Sequence, residues 1–178
     1  AGRANTSLLF SYQTEREPHV RAMIDLAVMM GKVVCVTDPD LALARDKNLI
    51  ETRRASGDAS GAIPNPKLGT GLLQATSNIA GELFPQFTHK GSRSDDLFGH
   101  GAWLIGESIG IDGNTLGAAG VSIPSLSYFS PLVSQWLDDK GYNAVLVRPD
   151  RVIFGGGNAA ELITAYADGL YQEARVVA

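Results

Sequence analysis

The feature that most limits the fold of this chain is a break in its patterning between Ser56 and Thr70, a stretch rich in Gly, Pro, Ser and Asn. Such composition reads as an extended surface connection rather than as helix or strand. Before it the apolar residues recur mainly at helical spacing. After it short strand and helix patterns alternate. The expected organisation is therefore a helical segment over residues 1–56, a linker over 57–80 and an α/β domain over 81–178.

In the first segment Leu8, Leu9 and Tyr12 recur at helical spacing from Thr6 to about Glu17, with Asn5 or Thr6 as the cap. Pro18 lacks an N–H and disfavours helix at Glu17, so a kink or restart is expected there. A second helical pattern runs from Pro18 to Met30, where Val20, Met23, Ile24, Ala27, Val28 and Met30 form a wide apolar face. Gly31 stands where a left-handed C-terminal cap would sit. Lys32 to Val36 is a short β-branched run. Thr37 or Asp38 then caps, Pro39 takes the first helical position, and a helix is predicted to about Ala55. Its charges suggest a largely wet outer face, with Arg53 and Arg54 at the negative end of the helix dipole.

Beyond the break, Ser94 is expected to cap a short turn at Asp95–Phe98, and Ala102–Gly106 reads as a buried strand. Pro131–Asp139 is predicted as a helix with Leu132, Val133, Trp136 and Leu137 on one face. Asn143–Val147 and Arg151–Phe154 read as strands joined through the turn dipeptide Pro149–Asp150, hence antiparallel. A last helix is expected over about Asn158–Arg175, with Leu162, Ile163, Tyr166 and Leu170 facing inward. A mixed sheet with helices packed on it follows.

At 178 residues with 44% hydrophobic and 19% charged side chains, the composition is that of a soluble globular chain large enough to bury a core. No apolar run reaches the roughly 20 residues needed to span a bilayer. A formal charge of −4 and a pI near 5.3 argue against nucleic acid as a partner. The one cysteine, Cys35, forms no internal disulfide, which fits a reducing cytoplasm.

Candidate chemistry is sparse. Disulfide exchange needs two thiols at Cys-x-x-Cys spacing, so Cys35 is expected to be a buried structural thiol. Gly155-Gly156-Gly157-Asn158 follows a strand and precedes a helix, the place where phosphate binds in some folds. It lacks the Gly-x-Gly-x-x-Gly spacing and reads better as a plain turn into the last helix. Gly2-Arg3 and Gly117-Ala118-Ala119-Gly120 are no better as dinucleotide fingerprints. His19, His89 and His100 have no metal-site spacing, and no Gly-x-Ser-x-Gly elbow points to a hydrolase. Glu15 with His19 and Glu17 with Arg21 have i,i+4 spacing suited to local pairing, and Glu15 and Arg16 also suit partners in an upstream domain. Asp95 and Asp96 are adjacent, point apart on a helix, and suit capping. Trp103 and Trp136 read first as core anchors, with an interface role as the alternative.

Three stretches carry a resemblance. Tyr12, Glu15, Arg16, Pro18, His19, Arg21, Ala22 and Met23 match a Tyr-x-x-Glu-Arg-x-Pro-His-x-Arg-Ala-Met helix. Gly91–Gly99 leading into Ala102–Gly106 is the second match, and Ala144–Gly155 the third. Together they resemble, in the same order, the C-terminal part of the flavin-dependent aromatic-ring hydroxylases, in the branch that includes 3-(3-hydroxyphenyl)propionate hydroxylase and its resorcinol- and hydroxybenzoate-type relatives. Ile109–Ser130 departs most from the pattern.

The resemblance implies an α/β, thioredoxin-like C-terminal domain, a mixed sheet with flanking helices and no redox cysteines. A helical segment that closes the upstream FAD and substrate region precedes it. It implies a parent enzyme that uses FAD, NADH or NADPH, and oxygen to hydroxylate a phenolic ring through a flavin hydroperoxide. The family carries its Gly-x-Gly-x-x-Gly and its flavin-ribose Gly-Asp segment upstream, so no catalytic, cofactor-binding or metal-ligating residue is expected here. The partners expected are the upstream FAD and substrate domains of the same protein and, as an option, further copies in a homo-oligomer, with no nucleic acid and no membrane. A free-standing thioredoxin-like binding or dimerisation module, and an independent hydrolase or nucleotide binder using the Gly155 turn, are the alternative readings.

Overall fold

A computed structural model describes residues 5–6, 8–56, 65–106, 111–124 and 129–171, without the side chains of residues 56 and 118. Two long helices come first, α1 (Leu8–Val34) and α2 (Pro39–Ser56). A short hairpin of β1 (Thr88–His89) and β2 (Ser92–Arg93) leads into α3 (Ser94–Phe98). Then follow β3 (Ala102–Gly106), α4 (Gly113–Ala119), β4 (Val121–Ser122), α5 (Ser130–Lys140), β5 (Ala144–Val147), β6 (Ile153–Gly157) and α6 (Ala159–Tyr171). The sheet order is β4-β3-β5-β6, with β3 parallel to β4 and antiparallel to β5, and β5 antiparallel to β6. This β-α-β-α-β-β-α succession is the thioredoxin-like arrangement that the resemblance implied.

The sheet lies between two apolar layers, because successive side chains of a strand point to opposite faces. Trp103, Ile105, Val145 and Val147 pack with Phe84, Phe98, Phe129, Val133 and Leu137 on one face. Ala102, Leu104, Ala144 and Leu146 pack with Ala119, Leu162, Ile163 and Tyr166 on the other. Each fully buried Leu, Ile or Val contributes about 1.5–3 kcal/mol, so β3 and β5, buried along both faces, anchor the domain. Trp103 and Trp136 both belong to the first layer, as expected for core anchors.

The outer edge of β6 is covered by the chain before β1. Gln74 N–H donates to Phe154 O at 2.8 Å, Gly81 N–H to Ile153 O at 2.9 Å, and Gly156 N–H to the Ser77 hydroxyl at 3.0 Å. Ile153 N–H in turn donates to Glu82 O at 2.8 Å. An uncovered edge presents a row of unpaired backbone groups, and this strap removes it. Of the expected linker, residues 57–64 lie outside the described residues, while 68–81 form this strap.

Several local expectations are corrected. Helix α1 runs through Pro18 and Gly31 as one 27-residue element. The strap backs the turn that Pro18 disturbs, where Gly69 N–H donates to Glu15 O at 3.1 Å. Gly31 is not the cap, and Lys32–Val34 are helical. The helix ends at Val34, and the Arg45 guanidinium donates to Val33 O at 2.9 Å. Cys35 is exposed rather than buried, because it sits in the turn between the two helices. Asp38 does cap α2, its carboxylate accepting the N–H groups of Asp40 and Leu41, both at 3.0 Å. Ser94 does not cap α3. It is fully buried, and its hydroxyl accepts Phe87 N–H at 3.1 Å. Asp95 and Asp96 pair instead with Arg151 and Arg93, at 3.5 and 3.1 Å.

The glycine run is not a turn. Gly155–Gly157 are the last residues of β6. A Cβ on Gly155 would overlap the Gln74 side chain, and one on Gly156 would lie 2.8 Å from the Tyr142 ring. Glycine is needed there for close approach, not for a loop. At the end of β3, Gly106 combines a φ of +109° with a Cβ position that the Asn143 carbonyl oxygen occupies. Gly106→Ala is therefore expected to cost at least about 2 kcal/mol. Urea unfolding of the two proteins checks this, and equal midpoints would contradict the packing described.

Candidate functional site

Helix α1 has one buried residue among those described, and it is charged. The Glu15 side chain is 3% exposed. Its two oxygens accept from the two terminal nitrogens of Arg148, at 2.8 and 2.9 Å, in a bidentate pair. Leu72 N–H donates to the same carboxylate at 2.7 Å. Arg148 is supplied by the end of β5, where the Pro149–Asp150 turn begins. It also donates to Leu72 O at 3.1 Å and to both Asp150 oxygens, at 3.2 and 2.8 Å. Arg16 stands 4.0 Å from Asp150.

The electrostatics follow from this geometry. Burial by itself lowers the pKa of the Arg148 guanidinium, but the Glu15 hydrogen bonds and the Asp150 and Glu15 charges outweigh it and raise the pKa. Tyr166 packs nearby in the α6 layer. Burial pushes its phenol up, and the Arg148 charge opposes that. On the surface, Glu82 takes Lys67 at 2.9 Å and Lys140 at 3.0 Å. Burial alone raises the Glu82 pKa, but the two lysines hold it below the usual carboxylate range.

The rest of α1 is open. Leu9 and Phe10 are 74% and 71% exposed, and Tyr12, Val20, Met23, Ile24, Val28, Met29, Met30 and Val34 are exposed too. The face expected to be apolar is thus uncovered. Helix α2 has no buried residue among the described side chains, and Leu41, Leu43, Leu49 and Ile50 are open. An exposed apolar surface of this extent marks an interaction site. The motif residues of the helix therefore separate. Glu15 and Arg16 turn toward the α/β domain, Arg21 pairs with Glu17 at 3.4 Å, and Tyr12 and Met23 face outward. Arg148 lies in the third matching stretch but was not singled out from the sequence. The only signal was its place beside a turn, 133 residues from its partner.

The second arginine of the turn, Arg151, has a φ of +68°. Its guanidinium lies 3.6 Å over the Trp103 ring and donates to Gly101 O and Gly99 O, both at 3.1 Å. It ties the loop before β3 to the β5–β6 turn.

The glycine run does not form the phosphate-binding turn that its sequence allowed: it lies in a strand, and Gln74 and Tyr142 fill the space over Gly155 and Gly156. Among the described residues, no group of three His, Cys, Asp or Glu side chains is placed to hold a metal ion, and no helix is long and apolar enough to cross a membrane.

Fold and site together define a thioredoxin-like domain carrying a helical segment with an open apolar face. Comparison with known proteins agrees. The chain is 30% identical to the probable NADH-specific resorcinol 4-hydroxylase of Rhodococcus jostii (strain RHA1), over 90% of its own length and 35% of that protein. Over 26% of its length it is 50% identical to the 3-(3-hydroxy-phenyl)propionate/3-hydroxycinnamic acid hydroxylase of Mycobacterium sp. (strain JLS). Its fold matches solved structures of the rebeccamycin biosynthetic enzyme RebC. One is RebC-10x, native and K252c-bound (TM-score 0.60, 17% identity, 95% of this chain and 38% of that one). Another is RebC with reduced flavin (TM-score 0.56, 18% identity, 95% and 37%). No family model matches the chain. Its homologues are thus resorcinol and 3-(3-hydroxyphenyl)propionate hydroxylases, and it matches the C-terminal part of these larger proteins. The chain spans about a third of the length of the resorcinol hydroxylase.

Truncating Arg148 would leave Glu15 charged and buried without its fork. Arg148→Ala is expected to cost about 3–5 kcal/mol, read by chemical denaturation. Lys140→Ala, at a partly exposed pair, is expected to cost less than about 1 kcal/mol. Equal losses in the two variants would contradict the difference in burial.

Proposed function

We propose that this chain is the C-terminal part of an FAD-dependent monooxygenase that hydroxylates phenolic compounds with NADH or NADPH and oxygen, and that its own role is structural. In this reading residues 1–56 close the upstream flavin and substrate region, 57–80 connect, and 81–178 form the appended thioredoxin-like domain. The observation that carries the reading is the uncovered apolar face of α1 on the very helix that bears the Tyr-x-x-Glu-Arg motif. A helix with Leu9, Phe10, Ile24 and Met30 in water is poorly stabilised alone. The resorcinol hydroxylase that matches 90% of the chain has about two-thirds of its length outside the match, enough for catalytic domains to cover that face. A cytoplasmic location and homo-oligomeric association belong to the same proposal.

The thioredoxin-like domain performs no thiol chemistry in this scheme, since disulfide exchange needs a resolving thiol and the chain has one cysteine. Nor do this chain's residues move a proton or bind the phenol. They hold α1 in place and complete the surface on which the catalytic part rests.

The test is the visible absorption spectrum, recorded with intact mass. The 18.8 kDa chain is expected to be colourless. The chain extended by its natural upstream sequence is expected to be yellow and to consume NADH or NADPH when a phenol is added. A yellow 18.8 kDa protein would place flavin binding in this chain and overturn the division of labour.

A further inference from the structure

Most helices are held to a domain by an apolar stripe. Helix α1 is held differently. Its buried residue is Glu15, and its hydrogen bonds to the α/β domain and the strap cluster around that position, while the Arg45 bond to Val33 O ties its far end only to α2. The bonds around Glu15 are the Arg148 fork, the Leu72 N–H to the carboxylate and the Gly69 N–H to the Glu15 carbonyl. From Val20 onward most long apolar side chains of the helix are exposed, Val20, Met23, Ile24, Val28, Met29, Met30 and Val34 among them, and Leu26 is half-buried. The helix is thus a lever fixed at one polar point. That point has no slack, since a Cβ on Gly71 would overlap the Glu15 carboxylate.

We infer that the Glu15–Arg148 pair is a positioning latch. Closed, it sets the direction of α1 relative to the thioredoxin-like domain. Opened, it lets α1 leave as a unit while the sheet stays folded. The physical reason is the asymmetry of the contact. A buried carboxylate tolerates desolvation only while its partners stay in place. Once they are displaced, little apolar contact holds the helix to the α/β layers. The sheet depends on none of this, because β3 and β5 are buried between their own two layers. The third partner, Asp150, fixes the guanidinium from the far side, so the fork is pre-set in the β5–β6 turn before α1 arrives. That the latch positions α1 for a flavin-binding region rests on the function proposed above. The latch itself does not.

Amide hydrogen exchange on the complete 178-residue chain tests it. Two variants open the latch by different routes. Arg148→Met removes the fork. Gly71→Ala keeps every charge and displaces the Glu15 carboxylate sterically. In both, protection of the α1 amides around Glu15 and of the Gly69 and Leu72 amides is expected to fall tenfold or more. Protection of Leu104, Ile105, Val145 and Leu146 is expected to stay within about twofold of the parent. Arg148→Lys, which keeps the charge without the fork, is expected to lie between. Unchanged α1 protection would overturn the latch, and so would an equal fall in α1 and in the sheet. The measurement involves neither flavin nor upstream sequence. Its failure is therefore separate from failure of the spectral test.

Discussion

A carboxylate almost out of contact with water is the constraint around which this structure is arranged. Glu15 belongs to α1 by sequence, yet every group that compensates its charge comes from elsewhere: the β5–β6 turn and the strap. Isolated burial of such a charge costs several kcal/mol, and the bidentate fork with a backbone N–H offsets it only when all donors converge. The turn, the strap and the helix must therefore meet at one place. Asp150 on the other side of Arg148, and Gly71 with no side chain of its own, both serve that convergence.

The same turn serves the opposite side of the domain. Arg148 reaches toward α1, while Arg151, three residues on, reaches over Trp103 and the loop before β3. Two arginines leaving one tight turn in different directions join the helical segment, the sheet and the aromatic layer. The positive φ of Arg151 is a local strain, of order 1–3 kcal/mol in general. The cation–π contact, the carbonyl bonds and the Asp95 pair offset it.

The α/β half was largely legible. Continuous apolar runs at Ala102–Gly106 and Ala144–Val147, the Pro149–Asp150 turn and the spacing of Leu162, Ile163 and Tyr166 give strands, hairpin and last helix where they are found. Local chemistry suffices there, since each run is long enough to show its period. Reading failed where a local rule competed with a distant contact. Pro18 signalled a kink or restart and Gly31 a helix end, but α1 continues through both, with the strap packed against the first. Ser94 looked like a cap but is taken by Phe87. Gly155–Gly157 looked like a turn, but Gln74 and Tyr142 demand the missing side chains, and neither neighbour is visible from the run itself.

The sequence by itself determined a mixed α/β domain and the absence of a Cys-x-x-Cys pair, because these rest on residue types and on periods of two and 3.6, while the likeness to the C-terminal part of aromatic hydroxylases rests on the three matching stretches. The tertiary structure alone decided which residue of the first helix is buried, what pairs with it, and that its apolar face stays open. Those depend on contacts across 57 and 133 positions. No local pattern encodes a partner at that distance. It is fixed only when the sheet has brought Arg148 and Leu72 to the same carboxylate.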